Sequence, residues 1–88
     1  MSLPKVSIIT VVYNNQEHIQ GAIQSVLNQD YSNIEYIVID GNSNDGTISA
    51  IEEYSDQIDC FISSPDKGIY DALNKGIELS TGEIIGIL

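Results

Sequence analysis

The stretch Ile34-Glu35-Tyr36-Ile37-Val38-Ile39-Asp40-Gly41-Asn42-Ser43-Asn44-Asp45-Gly46-Thr47 decides how this chain folds. Its first half is β-branched and aromatic with a single charge, which is typical of a strand buried on both faces of a parallel sheet. Its second half is small and polar, as in tight turns and helix caps. Ligands bind at the carboxyl ends of the strands in open parallel sheets. We therefore expect Asp40 to contact a ligand, and Asp45 only to cap the next helix.

Outward from this stretch, apolar runs and helical spacings predict three more strands and three helices. The other predicted strands are Val6–Tyr13, Cys60–Ser63 and Ile84–Leu88, the last cut short where the sequence ends. The helices are expected from a capping box of Asn14 and Glu17 to about Gln29, from Thr47 to Tyr54, and from Ile69 to a glycine stop at Gly82. Alternating buried strands and helices predict an α/β fold, with a parallel sheet of order 3-2-1-4 and helices on both faces.

The helices before the second and fourth strands each show one apolar face. In the first helix this face comprises Ile19, Ala22, Ile23, Val26 and Leu27, and in the third Ile69, Ala72, Leu73, Gly76 and Ile77. Gly76 lies on such a face, where a missing side chain permits close approach to a sheet. Residues 1–4 are interpreted as a leader, and residues 5–88 as one partial domain.

Composition restricts the partners and the setting of the chain. Thirteen acidic residues against three lysines give a net charge of −10, which repels nucleic acid and anionic lipid. Cys60 is the only cysteine, so the chain forms no internal disulfide. No apolar stretch reaches the length of a membrane span. These features favour a cytoplasmic location, with the whole protein also a candidate for peripheral attachment to the inner face of the membrane.

The ends of the first two strands would lie side by side and form the predicted site. The backbone of Val11, the ring of Tyr13 and the carboxylate of Asp40 could together hold a heterocycle with an N–H group, such as uracil. Packing of Tyr13 on the first helix is an equally good interpretation. Lys67, in the loop after the third strand, could approach a diphosphate, although a solvated lysine is the commoner case. Glycine-rich phosphate-binding motifs are absent from the sequence.

Four ordered motifs carry a resemblance to a known family. They are Val6–Asn14, Ile39–Thr47, Asn74–Gly76 and Thr81–Glu83, and their order and distances resemble the beginning of family 2 glycosyltransferases. The stretch Asp66–Asn74 is similar to members that build bacterial surface polysaccharides. The resemblance implies the nucleotide-binding, Rossmann-like half of a GT-A fold. It further implies inverting transfer of a sugar from a nucleotide donor, with uridine diphosphate expected, to a glycan or lipid-linked acceptor.

The resemblance also implies site residues and marks departures from the family pattern. Val11, Tyr13 and Asp40 would line the nucleoside pocket. Gly41 stands where many members have a second aspartate that contacts the base, and Val11 stands where many have proline or threonine. The ligands of a divalent cation, Mg²⁺ or Mn²⁺, and the catalytic base are expected beyond Leu88. We therefore expect no metal ligand and no catalytic residue within this segment, and no turnover by the segment alone.

Two other functions are compatible with a predicted α/β fold. A nucleotidyltransferase would require a glycine-rich basic loop after the first strand, where this chain has Tyr13-Asn14-Asn15-Gln16. A flavodoxin-like or receiver-type domain without enzymatic activity would require an acidic cluster there.

The aliphatic fourth strand, Ile84–Leu88, is expected to be an open edge through which the segment self-associates.

Overall fold

The computed structural model describes residues 3–87 of the chain, and its elements alternate between strands and helices. They are β1 Val6–Val12, α1 Ile19–Leu27, β2 Ile34–Asp40, α2 Thr47–Glu52, a 3₁₀ turn Ser55–Gln57, β3 Cys60–Ser63, α3 Ile69–Leu79 and β4 Ile84–Ile87. The four strands are parallel and lie in the order β3-β2-β1-β4. The predicted fold class and strand order are confirmed. Leu88 and the first two leader residues lie outside the described residues.

The register of the sheet brings three strand ends to one edge. Val12 at the end of β1 lies opposite Asp40 at the end of β2, and Asp40 lies opposite Ser63 at the end of β3. The turns that follow these strands must therefore meet. β1 is central, because its other side pairs with β4 from Val6↔Ile84 to Ile9↔Ile87.

The sheet has two different apolar faces, because successive side chains of a strand point in opposite directions. Tyr36 and Val38 pack against α1 and α2, in a core completed by Ile19, Ile23, Val26, Ala50 and Ile51. Ile37 and Ile39 face the other way and pack with Ile9 and Ala72, so this face is covered by α3. Asp40 continues the side of Tyr36 and Val38, whereas Val11 belongs to the α3 side.

The start of α1 differs from the prediction. Asn14 has a left-handed backbone, with φ of 47°, and His18 is the N-cap. The carbonyl of Asn15 accepts the first N–H bonds, from His18 and Ile19. The predicted capping box was therefore wrong, because the chain first makes a separate turn after β1.

The predicted features of α3 are confirmed only in part. Ala72 and Gly76 are buried, but Ile69 and Ile77 are exposed, so the helix touches the sheet along a narrow line. The close approach at Gly76 is confirmed, since a Cβ there would lie 2.6 Å from Cγ2 of Ile9. Gly82 does not end the helix, which stops at Ser80. Its lack of a side chain instead makes room for the start of β1, because a Cβ would lie 2.7 Å from the Ser7 amide nitrogen.

Candidate functional site

Two interlocked turns form the rim above β1 and β2. The Asn14 N–H donates to Oγ of Ser43 at 2.8 Å, and the Asn44 N–H donates to Oδ1 of Asn14 at 2.8 Å. The Asn15 N–H donates to Oγ1 of Thr47 at 2.9 Å. Asn14 and Asn42 both have positive φ, which asparagine tolerates better than most residues. The two turns therefore satisfy each other's polar groups and together form one rim.

Asp40 ties this rim together from beneath. Its side chain is fully buried, Oδ2 accepts from the Ser43 N–H at 2.9 Å and from Oγ of Ser63 at 2.8 Å, and Oδ1 accepts from Oγ of Ser43 at 2.5 Å. A buried carboxyl group with three donors is well satisfied. The structure thus gives Asp40 an internal role between the end of β3 and the turn after β2. Direct contact of Asp40 with a ligand stays a prediction.

Asp45 supports the start of α2, as the sequence predicts, but from the position before the N-cap, which is Gly46. Its Oδ1 accepts from the Thr47 N–H at 2.9 Å and from the Thr47 hydroxyl. The bond from the Thr47 hydroxyl, helped by backbone N–H groups, holds the pKa of Asp45 below its usual value of 3.8. This exposed carboxylate therefore stabilises the turn, and we assign it no contact with a ligand.

An open groove lies on the α3 side of the same rim. It has a volume of about 310 Å³ and is lined by Val11, Val12, Tyr13, Asp66, Gly68, Ile69 and Ala72. A second hollow shares Tyr13, Asp66 and Gly68 with this groove and is also lined by Gly41, Asn42 and Pro65. Small-molecule sites have volumes of roughly 300–1,000 Å³, so the groove is large enough for a nucleoside. Its floor is the end of β1, and its far wall is the loop before α3.

The groove contains some of the predicted site residues and not others. Val11 and Tyr13 line it together, and Tyr13 is 62% exposed, so it does not pack on α1. Asp40 lies outside the groove, because alternation along β2 turns its side chain to the α1 and α2 side. Lys67 is an exposed loop residue outside the lining, and its N–H donates to Oδ2 of Asp71 at 3.0 Å.

Asp66 is the charged residue of the groove lining, and the sequence prediction missed it. Its Oδ2 lies 2.9 Å from the point where a Cβ at position 41 would stand, and Cδ1 of Tyr13 lies 3.3 Å from that point. Its Oδ1 accepts from the Gly68 N–H at 3.1 Å. The available signal was topological, since Asp66 follows the third parallel strand and so must reach the same edge of the sheet.

The loop that carries Asp66 is braced by α3. Nζ of Lys75 donates to Oγ of Ser64 and to the Pro65 carbonyl oxygen, both at 3.2 Å. The same ammonium group lies 3.7 Å from Oδ2 of Asp71. Lys75 therefore fixes the start of the loop, and its ion-pair partner Asp71 fixes the other end by accepting from the Lys67 N–H, so α3 holds Asp66 at the groove.

Two features are absent from the part of the chain that the structure describes. No group of three histidine, cysteine, aspartate or glutamate side chains within residues 3–87 is placed to hold a metal ion. None of the helices in that part of the chain is both long and apolar enough to cross a membrane.

The sequence of the chain matches a known protein family. The family model described as glycosyl transferase family 2 matches residues 7–88. An uncharacterized glycosyltransferase of Mycobacterium tuberculosis is 38% identical over 88 residues, which cover 99% of this chain and 34% of that protein. The GalNAc(5)-diNAcBac-PP-undecaprenol beta-1,3-glucosyltransferase of Campylobacter jejuni is 34% identical over 98% of this chain and 29% of its own length.

A solved structure gives the same result for the fold. The mannosyltransferase PcManGT of Pyrobaculum calidifontis, in complex with GDP-Man and Mn²⁺, superposes with a TM-score of 0.85 at 29% identity. The match covers 93% of this chain and 26% of that one. The chain therefore spans about a third or less of the relatives it matches.

Proposed function

This chain belongs to glycosyl transferase family 2, and from that premise we propose that its groove binds the nucleotide of a nucleotide-sugar donor. One observation carries the proposal. The exposed Tyr13 ring, the end of β1 at Val11 and the Asp66 carboxylate all line one groove at the carboxyl edge of a parallel sheet. An aromatic face and a carboxylate acceptor suit a base that carries an N–H group. The flavodoxin-like and receiver-type alternatives are set aside by the family match.

The donor is proposed to be a uridine diphosphate sugar. The structural relative from Pyrobaculum was solved with GDP-Man, which makes a guanosine diphosphate sugar the second candidate. Both bases carry a ring N–H, so both fit the same groove chemistry. We propose Asp40 as a further nucleotide contact and Lys67 as a partner of the diphosphate, although neither lies in the lining described above.

The reaction of the whole protein is proposed to be transfer with inversion to a glycan or lipid-linked acceptor in surface-polysaccharide synthesis. The name of the Campylobacter relative, which specifies an undecaprenol-linked acceptor, supports this assignment. The cytoplasm, with peripheral attachment to the inner membrane face, is the proposed location. Residues 3–87 supply the groove, and this chain alone is expected to bind a donor without turnover.

A divalent cation is proposed as the cofactor of the whole protein, because the Pyrobaculum relative was solved with Mn²⁺. Such an ion would offset the charge of the leaving diphosphate. The described residues do not fit this ion, since they contain no cluster of ligands for it. We propose that its ligands lie beyond Leu88.

Titration of the ¹⁵N-labelled chain with uridine diphosphate tests the groove. We expect weak binding, because the net charge of −10 repels the diphosphate. The amide signals of Val11–Asn14, Gly41–Asn42 and Asp66–Gly68 should shift together. Inorganic pyrophosphate is the control for the charge alone. Shifts confined to α1 and α2, or equal shifts with pyrophosphate, would contradict the assignment of the groove.

A further inference from the structure

We propose that Asp66 and Gly41 act as one specificity-determining pair, in which the Asp66 carboxylate selects bases with a ring N–H. This inference rests on the proposed nucleotide-binding function and extends it to the choice of base. Oδ1 of Asp66 is already occupied by the Gly68 N–H. Oδ2 has no hydrogen-bond donor within residues 3–87 and lies beside the Tyr13 ring. It is the acceptor that the groove offers to a ligand.

The acceptor owes its position to the absence of a side chain at Gly41. A Cβ at position 41 would stand 2.9 Å from Oδ2 of Asp66 and 3.3 Å from Cδ1 of Tyr13. The φ angle of Gly41 is not positive, so only these neighbours, and no backbone strain, stand in the way of a larger residue. The carboxylate therefore lies against the position that a side chain at residue 41 would take.

The chemistry of this acceptor predicts which bases it admits. A carboxylate that is ionised accepts hydrogen bonds and donates none. Uracil and guanine carry a donor N–H at the middle of their pairing edge. Cytosine and adenine carry a ring nitrogen lone pair there, which a carboxylate repels. A repulsive contact of this kind discriminates as strongly as an attractive one. The pair thus specifies a uridine or guanosine nucleotide over a cytidine or adenosine nucleotide.

Rival nucleotides test the selection directly. Dissociation constants of UDP, GDP, CDP and ADP are measured by NMR titration for the wild-type chain and for Asp66→Asn. We expect the wild type to prefer UDP and GDP. Asp66→Asn should weaken UDP by about tenfold or more, the effect of a lost charge-assisted hydrogen bond. It should also bring the dissociation constants of UDP and CDP closer together, because the asparagine amide can donate to the cytosine ring nitrogen. A purely structural loss would weaken all four nucleotides equally.

A double-mutant cycle tests the link between the two positions. When Asp66 is present, Gly41→Ala should weaken UDP binding, because the added methyl group displaces the Asp66 carboxylate. In the Asp66→Gly variant, the same substitution at position 41 should change UDP binding little. Equal binding of all four nucleotides by the wild type, or an unchanged UDP-to-CDP ratio in Asp66→Asn, overturns the inference and leaves the groove intact as a binding site. Failure of every nucleotide to shift the groove amides overturns the proposed function as well.

Discussion

At the scale of single residues, Asp40 and Asp66 both follow strand ends at the same edge of the sheet but have different surroundings. Asp40 ends the most buried strand and is fully enclosed by Ser43 and Ser63. Asp66 follows a short and partly exposed strand, and its carboxylate faces the groove. One acid therefore holds the rim and the other is available to a ligand. Their conservative amide variants should separate these roles.

Asp40→Asn is expected to lower the free energy of unfolding by about 1–3 kcal/mol, because one oxygen that accepts a hydrogen bond becomes a donor facing other donors. Urea unfolding followed by circular dichroism measures the change. Asp66→Asn is the matched control and should be nearly neutral, since Asp66 accepts a single bond from Gly68 at the surface. Unchanged stability of Asp40→Asn together with lost nucleotide binding would instead establish the direct contact that the sequence predicts.

Of the seven residues that line the groove, the sequence predicted Val11 and Tyr13 and missed Asp66 for a definite reason. Val11 and Tyr13 were found because the end of a buried strand is visible in the apolar pattern. The pattern does not say which side of the sheet each residue faces, and Asp40 faces away from the groove. Asp66 lies in a loop, whose path is set by the Lys75 brace and by contacts that local sequence does not encode.

At the scale of elements, α3 approaches the sheet through a glycine. Gly76→Ala is expected to cost about 1–2 kcal/mol of stability, because its Cβ would meet the fully buried Ile9 at 2.6 Å and overpacking outweighs the gain in helix propensity. Gly21→Ala on α1 is the control. Nothing lies within 4 Å of a Cβ at position 21, so that variant should gain about 1 kcal/mol. Thermal unfolding of both variants checks the pair, and equal shifts in the two would show that α3 can move outward freely.

Glu35 joins three elements at the opposite edge of the sheet. Its Oε1 accepts from the Thr81 N–H and from Oγ of Ser7, each at 2.8 Å, and Oγ of Ser7 accepts from the Gly82 N–H at 2.8 Å. The Thr81 N–H is the main cause that lowers the pKa of Glu35 below its usual value of 4.5, although partial burial opposes it. The carboxylate thus fixes the entry to β4.

This lowered pKa predicts a loss of stability in acid. A carboxyl group whose pKa is depressed on folding stabilises the fold above its unfolded pKa, and that contribution disappears as the pH falls through the folded pKa. The wild type should therefore lose stability below about pH 4.5 more steeply than Glu35→Gln. Urea unfolding from pH 6 to pH 3 measures both slopes. Glu78→Gln, which removes an exposed acid from α3, controls for net charge. Parallel slopes in all three proteins would contradict the assignment.

At the scale of the whole molecule, the sequence predicted the architecture well. Four apolar runs alternating with amphipathic segments leave few topologies once crossovers are right-handed, although β4 was expected to be buried and is largely exposed. The observed order β3-β2-β1-β4 is the predicted one. The ends of helices were less predictable, as at Asn14 and Gly82, because they depend on hydrogen bonds and packing between distant segments.

The β4 edge leads to a prediction about association. Ile84, Ile85 and Ile87 are 52%, 42% and 57% exposed, and β4 pairs only with β1 among the described strands. We expect the chain to self-associate through Ile84–Leu88 at high concentration, although its net charge opposes close approach and Leu88 itself lies outside the described residues. Sedimentation at physiological salt over a wide concentration range should show a rising mass. Ile85→Lys should abolish it, whereas Ser49→Lys on α2, the control for added charge, should not. A monomer at the highest concentration would show that the edge is protected.

The central place of β1 has a consequence for synthesis. One side of β1 pairs with β2, but the other side can pair only after β4 has been made. The Lys5 carbonyl oxygen likewise accepts hydrogen bonds from the N–H groups of Glu83 and Ile84. About 70 residues separate the two strands, so at roughly 5–20 residues per second a ribosome takes about 4–14 s to supply the second partner. During that interval one edge of β1 has no partner strand, although its other edge can already pair with β2. Until β4 has been made, this free edge of β1 is therefore open to pairing with another chain.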